Sequence, residues 1–137
     1  MTLEDIKNEV EMMQAEAKVV LPKTGDKCVE RATVLAAYHA RVGELYAEAK
    51  YLVNKKKSSE IANEVVKIAK AGYLAANAQN AMVNSLAKEE QKMVDALDRL
   101  NSAFAKQMDL CRTFISKEKA EMQYLNFNAS KDKHGTF

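Results

Sequence analysis

Apolar residues recur along this chain at alternating steps of three and four. Leu3, Ile6, Val10, Met13, Ala17 and Val20 make a first run, and Cys28, Ala32, Leu35, His39, Val42, Tyr46, Ala49 and Val53 make a second. That spacing keeps side chains on one side of an α-helix, so each run predicts a helix that buries one face. Strands would need β-branched and aromatic residues in strict alternation, and these are missing. With only four glycines and one proline, the chain is also unlike a turn-rich β-protein.

End signals divide the pattern into elements. A first helix is predicted over residues 2–21. Thr2 and Asp5 are spaced as a capping box, with Asp5 in the place more often held by Glu. Glu4, Asp5 and Glu9 suit the positive end of the helix, and Pro22 and Gly25 are expected to end it. A second helix is predicted over residues 26–54. Tyr38, Leu45 and Leu52 add a second apolar row to it, and a stripe that wide meets more than one neighbour. Lys55, Lys56 and Lys57 complement its negative end, and Ser58 or Ser59 can cap the helix that follows.

The third helix is expected to begin near Glu60 with Ile61, Val65, Ile68, Gly72, Ala75, Met82 and Leu86 on one stripe. Its small residues between 69 and 81 predict the tightest helix crossing. Met93, Leu97, Leu100, Phe104, Cys111 and Phe114 carry the pattern on toward Leu125. Unbroken, residues 60–125 would be a rod of roughly 100 Å, against roughly 45 Å for the second helix. A break near residues 84–88 matches the lengths better and is the expected arrangement. The fold class is therefore all-α: an elongated antiparallel bundle of three to four long amphipathic helices over residues 1–125. A flexible polar tail is expected over residues 126–137, with Lys131, Lys133, His134 and Gly135 in it. Stripes this long predict self-association, because one short chain supplies little surface to cover them.

Composition adds bounds. The chain has 137 residues, one domain's length, and 47% hydrophobic with 29% charged residues is ordinary for a folded protein. Charges interrupt every apolar stretch, so no bilayer span is expected and no membrane partner. No leader-like apolar run opens the sequence, and Cys28 and Cys111 both lie on stripes. A reducing, cytoplasmic location follows as the expectation.

The net charge of +2 points to no partner, but its distribution is uneven. Residues 1–40 carry five Lys/Arg against seven Asp/Glu, residues 41–88 eight against four, and residues 89–137 eight against eight. The middle of the chain is the basic part. There Lys50, Lys55, Lys56, Lys57, Lys67 and Lys70 flank the turn between the second and third helices, with Tyr51 and Tyr73 among them. Lysines can contact phosphates and tyrosines can stack on unpaired bases, so these eight residues are the candidate nucleic-acid site. An ordinary solvated helix face would carry the same residues.

Other candidate chemistry is thinner. His39 lacks a Glu-x-x-His or His-x-x-x-His partner, so no metal spacing accompanies it. Asp95-x-x-Asp98 and Glu118-x-x-Glu121 are acid pairs; paired acids hold magnesium in helical nucleotide pyrophosphatases, but these acid types differ from the usual Glu-rich pattern, and solvated surface acids are the expected reading. On one helix they stand roughly 30 Å apart, too far to share an ion without a fold-back or a second subunit. Cys111 precedes Arg112, which can favour a thiolate, but its place on the stripe argues for packing. The serines lack a glycine elbow and an activating histidine. No phosphate-cradling glycine loop occurs. No catalytic residue, metal or cofactor is assigned.

The stretch Gln79-Asn-Ala-Met-Val-Asn-Ser-Leu86, followed by Leu97-Asp-Arg-Leu-Asn-Ser102 and Cys111-Arg-Thr-Phe-Ile-Ser-Lys-Glu-Lys-Ala-Glu-Met122, resembles small all-helical proteins encoded by phages and prophages of gut bacteria. In size, helical character and the opening Leu3-Glu4-Asp5, the chain also resembles UvsY-type recombination mediators. That second resemblance implies an oligomeric protein that helps load a recombinase onto single-stranded DNA, and it carries over no binding residue. Three functions are therefore expected, in order. The first is a non-enzymatic helical interaction protein, phage- or mobile-element-encoded, with itself and another protein as partners. The second is an accessory binder of single-stranded nucleic acid, and the third a magnesium-dependent nucleotide hydrolase assembled across subunits.

Overall fold

Residues 1–134 are described by the computed structural model, with side chains described over residues 1–130. They form five helices: α1 (Leu3–Ala17), α2 (Gly25–Lys57), α3 (Glu60–Ala71), α4 (Ala76–Leu86) and α5 (Lys88–His134). The fold is all-α. Helices α1, α2 and α5 make the bundle, and α3 with α4 make a short helical hairpin between α2 and α5.

Cross-chain contacts set the directions. Arg41 donates to Glu9 at 2.8 and 2.9 Å and Arg31 to Glu16 at 3.1 Å, so α1 and α2 are antiparallel. Gly25 at the start of α2 meets Glu118, and Lys56 at its end meets Glu90, so α2 and α5 are also antiparallel. The path up, down and up leaves α1 parallel to α5. One core joins the three: Ile6, Val10 and Met13 from α1; Cys28, Leu35, Val42, Leu45, Ala49 and Val53 from α2; Val94, Ala96, Leu97, Leu100, Phe104 and Cys111 from α5. Tyr38 stacks on Phe104 at 5.7 Å between ring centres.

The ends show what local chemistry decided. Thr2 and Asp5 form the expected capping box, with the Thr2 N–H donating to Asp5 at 2.8 Å and the Asp5 N–H to the Thr2 hydroxyl at 3.2 Å. Ser59 caps α3 by accepting from the Ala62 N–H at 3.2 Å. Helix α1 stops at Ala17, before Pro22. Its last carbonyls are taken from outside: Gln107 donates to Ala17 at 2.8 Å and Arg31 to Glu16 at 2.9 Å. With these acceptors satisfied the chain is free to leave the helix, and Leu21 then packs on the core.

The single third helix expected from residue 60 is two helices. The break is at Tyr73, whose φ is 55°, with the Tyr73 N–H donating to Lys70 and the Leu74 N–H to Ala69, both at 3.0 Å. This is the paired closure of a Schellman motif. Gly72, one residue earlier, has an ordinary φ of −84°. The tight crossing expected of residues 69–81 is replaced by this turn and by α4, in which no residue is fully buried. The face of α3 also differs from expectation. Ala62 and Ala69 are buried, while Ile61 and Ile68 are 67% and 66% exposed. The break expected near residues 84–88 falls at Ala87, which is buried and whose N–H donates to Asn84 at 3.2 Å.

Helix α5 runs to His134, through most of the segment where a flexible tail was expected. Residues 135–137 and the side chains of Lys131, Lys133 and His134 lie outside the described residues.

Candidate functional site

The basic zone lies at the end of the bundle where α2 finishes, α3 begins and α5 starts. The fold separates its members. Lys50 leans over the Tyr46 ring at 5.1 Å. Lys57 lines a groove of about 370 Å³ between α2 and α5, together with Lys50, Tyr46, Asn54 and two carboxylates, Asp95 and Asp98. Lys56 pairs with Glu90 at 3.4 Å, and Lys67 pairs with Glu64 at 3.4 Å on α3. Among the described residues Lys55 and Lys70 have no carboxylate partner within salt-bridge distance. Tyr51 is exposed on α2, and Tyr73 is 97% exposed at the α3–α4 turn. The sequence cluster is therefore spread over two helices and a turn, and acids from α5 stand against half of it. Those acids, Glu90, Asp95 and Asp98, are distant in sequence, which is why no local reading of residues 50–70 could place them there.

Beside the lysines is a second feature that charge patterning missed. Leu3, Leu52, Ile61 and Leu86 wall a cavity of about 380 Å³ with Lys55, Lys56, Ser59 and Glu90 around it. Four separate helices supply the leucines and the isoleucine. Glu90 is the notable member, because its side chain is 7% exposed and its one charged partner among the described residues is the half-exposed Lys56. It sits in the first turn of α5, where the helix N-terminus favours a carboxylate. An apolar hollow of this size, edged by a few charged groups, is the usual form of a binding pocket.

The opposite end of the bundle also presents apolar surface. Helix α2 begins at Gly25, and its first N–H donates to the carboxylate of Glu118. Thr24, the residue in the capping position, makes no side-chain cap of its own, so α5 supplies the cap from across the bundle. Beyond Glu118, α5 has no helix beside it for its remaining turns, roughly 24 Å at its rise per residue. The heptad stripe does not stop there. Phe104, Met108, Cys111 and Ile115 lie in or against the core, and Met122 and Leu125 continue the same stripe at 57% and 64% exposure. Tyr124 and Phe127 beside them are exposed as well.

The remaining sequence candidates lie apart from these surfaces or within the core. His39 is half-buried on α2. Cys28 and Cys111 are free, fully buried thiols. Cys28 donates to the Pro22 carbonyl at 3.2 Å. Burial raises the Cys111 pKa, the neighbouring Cys28 adds to the rise, and Arg31 opposes it. Glu118 of the second acid pair is engaged at Gly25, while Asp95 and Asp98 share the groove with lysines. Among the described residues no three His, Cys, Asp or Glu side chains come together as a metal site. No described helix is long and apolar enough to cross a membrane. No family model, no curated protein and no solved structure matches this chain.

Proposed function

We propose that this chain is a non-enzymatic assembly protein that associates with copies of itself through helix faces. The overhang of α5 carries this reading: a helix projecting past its bundle with Met122, Tyr124, Leu125 and Phe127 uncovered. Exposed apolar residues scattered singly need no explanation, but on this projecting helix Met122 and Leu125 continue the core stripe on one side while Tyr124 and Phe127 lie together on the other, so two apolar faces are left uncovered. Each is already about a third covered, so burying the rest returns on the order of 1–2 kcal/mol per side chain. Four such side chains return roughly 4–8 kcal/mol, and an association cost of at least about 4 kcal/mol reduces this to a contact of about millimolar strength before the apolar surface of the receiving copy is added. Sedimentation velocity over a concentration series tests it. The wild-type chain is expected to gain mass with concentration, and Leu125→Glu to remain monomeric with unchanged helicity. A wild-type chain that stays monomeric at every concentration would overturn the proposal.

A second reading, binding of single-stranded nucleic acid, rests on Tyr73. It is nearly fully exposed, held by a left-handed backbone, and follows Lys70 on a helix that starts beside Lys55. This reading expects binding to a single-stranded oligonucleotide that falls steeply with salt, and that weakens when Tyr73→Ala is combined with Lys55→Ala and Lys70→Ala. Binding indifferent to both would count against it.

A further inference from the structure

We infer that the assembly is head to tail: the α5 overhang of one copy occupies the apolar cavity at the far end of the next. This deepens the self-association proposed above and depends on it. The two surfaces are at opposite ends of the bundle. Glu90 marks the cavity and Glu118 marks the start of the overhang, and both are on α5 roughly 40 Å apart along its axis. One molecule cannot bring them together, whereas a second copy can.

Shape and charge both fit. The overhang presents a helix with its apolar residues a turn apart, the form that fills a groove between other helices. The cavity is walled by side chains of the same character, Leu3, Leu52, Ile61 and Leu86. Lys117, Glu121, Tyr124 and Leu125 border one hollow on the overhang, so a cation and an anion a turn apart flank the apolar residues. The cavity carries Lys55, Lys56 and Glu90; Lys56 and Glu90 already pair with each other at 3.4 Å, which leaves Lys55 as the cation facing outward for a partner. Neither Lys117 nor Glu121 has a salt-bridge partner among the described residues, and neither does Lys55. In the proposed contact Glu121 meets Lys55. Leu125 and its neighbours enter the hollow. A contact between two different surfaces does not close after two copies. It repeats, giving a ring or an open chain.

Two variants separate this arrangement from the alternatives. Leu125→Glu spoils the overhang and leaves the cavity intact, while Ile61→Glu spoils the cavity and leaves the overhang intact. Both residues are about two-thirds exposed, so neither change disturbs the core, and circular dichroism with thermal melting confirms folding. Sedimentation velocity should show the wild type growing beyond a dimer, and each variant weakened at least about tenfold. An equimolar mixture of the two variants should form a discrete dimer, because only one competent pair of surfaces remains between them. Charge reversal gives a second arm: Lys55→Glu should impair growth, and adding Glu121→Lys should restore it. If Ile61→Glu assembles like the wild type, or the mixture stays monomeric, the head-to-tail contact is wrong while self-association stands. If the wild type itself never associates, both are wrong.

Discussion

At the scale of single residues, the most consequential contact joins positions far apart in sequence. Glu118 caps α2 at Gly25, and a side-chain carbon at Gly25 would come within 3.0 Å of the Glu118 carboxyl group. A methyl group at Gly25 would make the flexible end of the Glu118 side chain give by a few tenths of an ångström, and the glycine φ is not in the left-handed region. Glu118→Ala is expected to cost about 1–2 kcal/mol in urea unfolding, the range for a carboxylate at a helix N-terminus. Gly25→Ala keeps the backbone donor and shifts only the end of the Glu118 side chain, so it should cost less than Glu118→Ala, and the double variant should cost less than the sum. Local caps such as Thr2–Asp5 and Ser59 were legible because their partners are three residues apart. The Glu118 cap was not, and in sequence the residue reads as half of a solvated acid pair. The thiols give a pH test. Cys111 has a raised pKa in the folded chain, so folding favours its protonated form. The stability this represents is complete below the free-thiol value of about 9.0 and is lost as pH rises past it toward the folded value. The stability gap between wild type and Cys111→Ala should therefore narrow between neutral pH and pH above that value, as measured by urea unfolding.

At the scale of elements, the three-four spacing identified the bundle helices and their buried faces well. Ile6, Val10 and Met13 are buried on α1, as are Cys28, Leu35, Val42, Ala49 and Val53 on α2. The spacing misread α3 for a physical reason. A helix that packs through alanines lets its neighbour approach closely, and the larger isoleucines are then left on the outer side. Hydrophobicity alone ranks Ile61 and Ile68 above Ala62 and Ala69, so the pattern chose the wrong face. Ala69→Leu should overpack the buried face and cost about 1–3 kcal/mol, while Ile68→Ser should change stability by no more than about 0.5 kcal/mol. Equal losses for the two, in chemical unfolding, would mean that the faces are assigned wrongly. The α3–α4 break was hidden because its left-handed residue is Tyr73 and not the adjacent glycine. Tyr73→Gly should remove that conformational cost and raise stability by about 0.5–1 kcal/mol.

At the scale of the whole molecule, the all-α class and the break ahead of α5 were legible from periodicity and length matching. The candidate site was legible only in part. The lysines and tyrosines were visible as a cluster, but the carboxylates that answer them and the cavity beside them arise from α1, α4 and α5 and exist only after folding. The overall dimensions give a check that is independent of any partner. Helix α5 alone spans about 70 Å, so a monomeric variant such as Leu125→Glu should have a radius of gyration clearly above the roughly 14 Å of a compact domain of this length. Small-angle scattering measures it, and a value near the compact figure would contradict the projecting helix.

Because α5 is one uninterrupted helix that carries Glu90 near one end and Leu125 near the other, it would act as a ruler between the two surfaces in the proposed head-to-tail contact. Every residue between them sets about 1.5 Å of length and about 100° of rotation, with no hinge to absorb an error. The angular phase between knob and socket is thereby written in the number of residues in α5. A fibre or ring built on that pairing would take its pitch from that count, and a change of one residue in the helix would alter the symmetry of the assembly before it altered the strength of any contact.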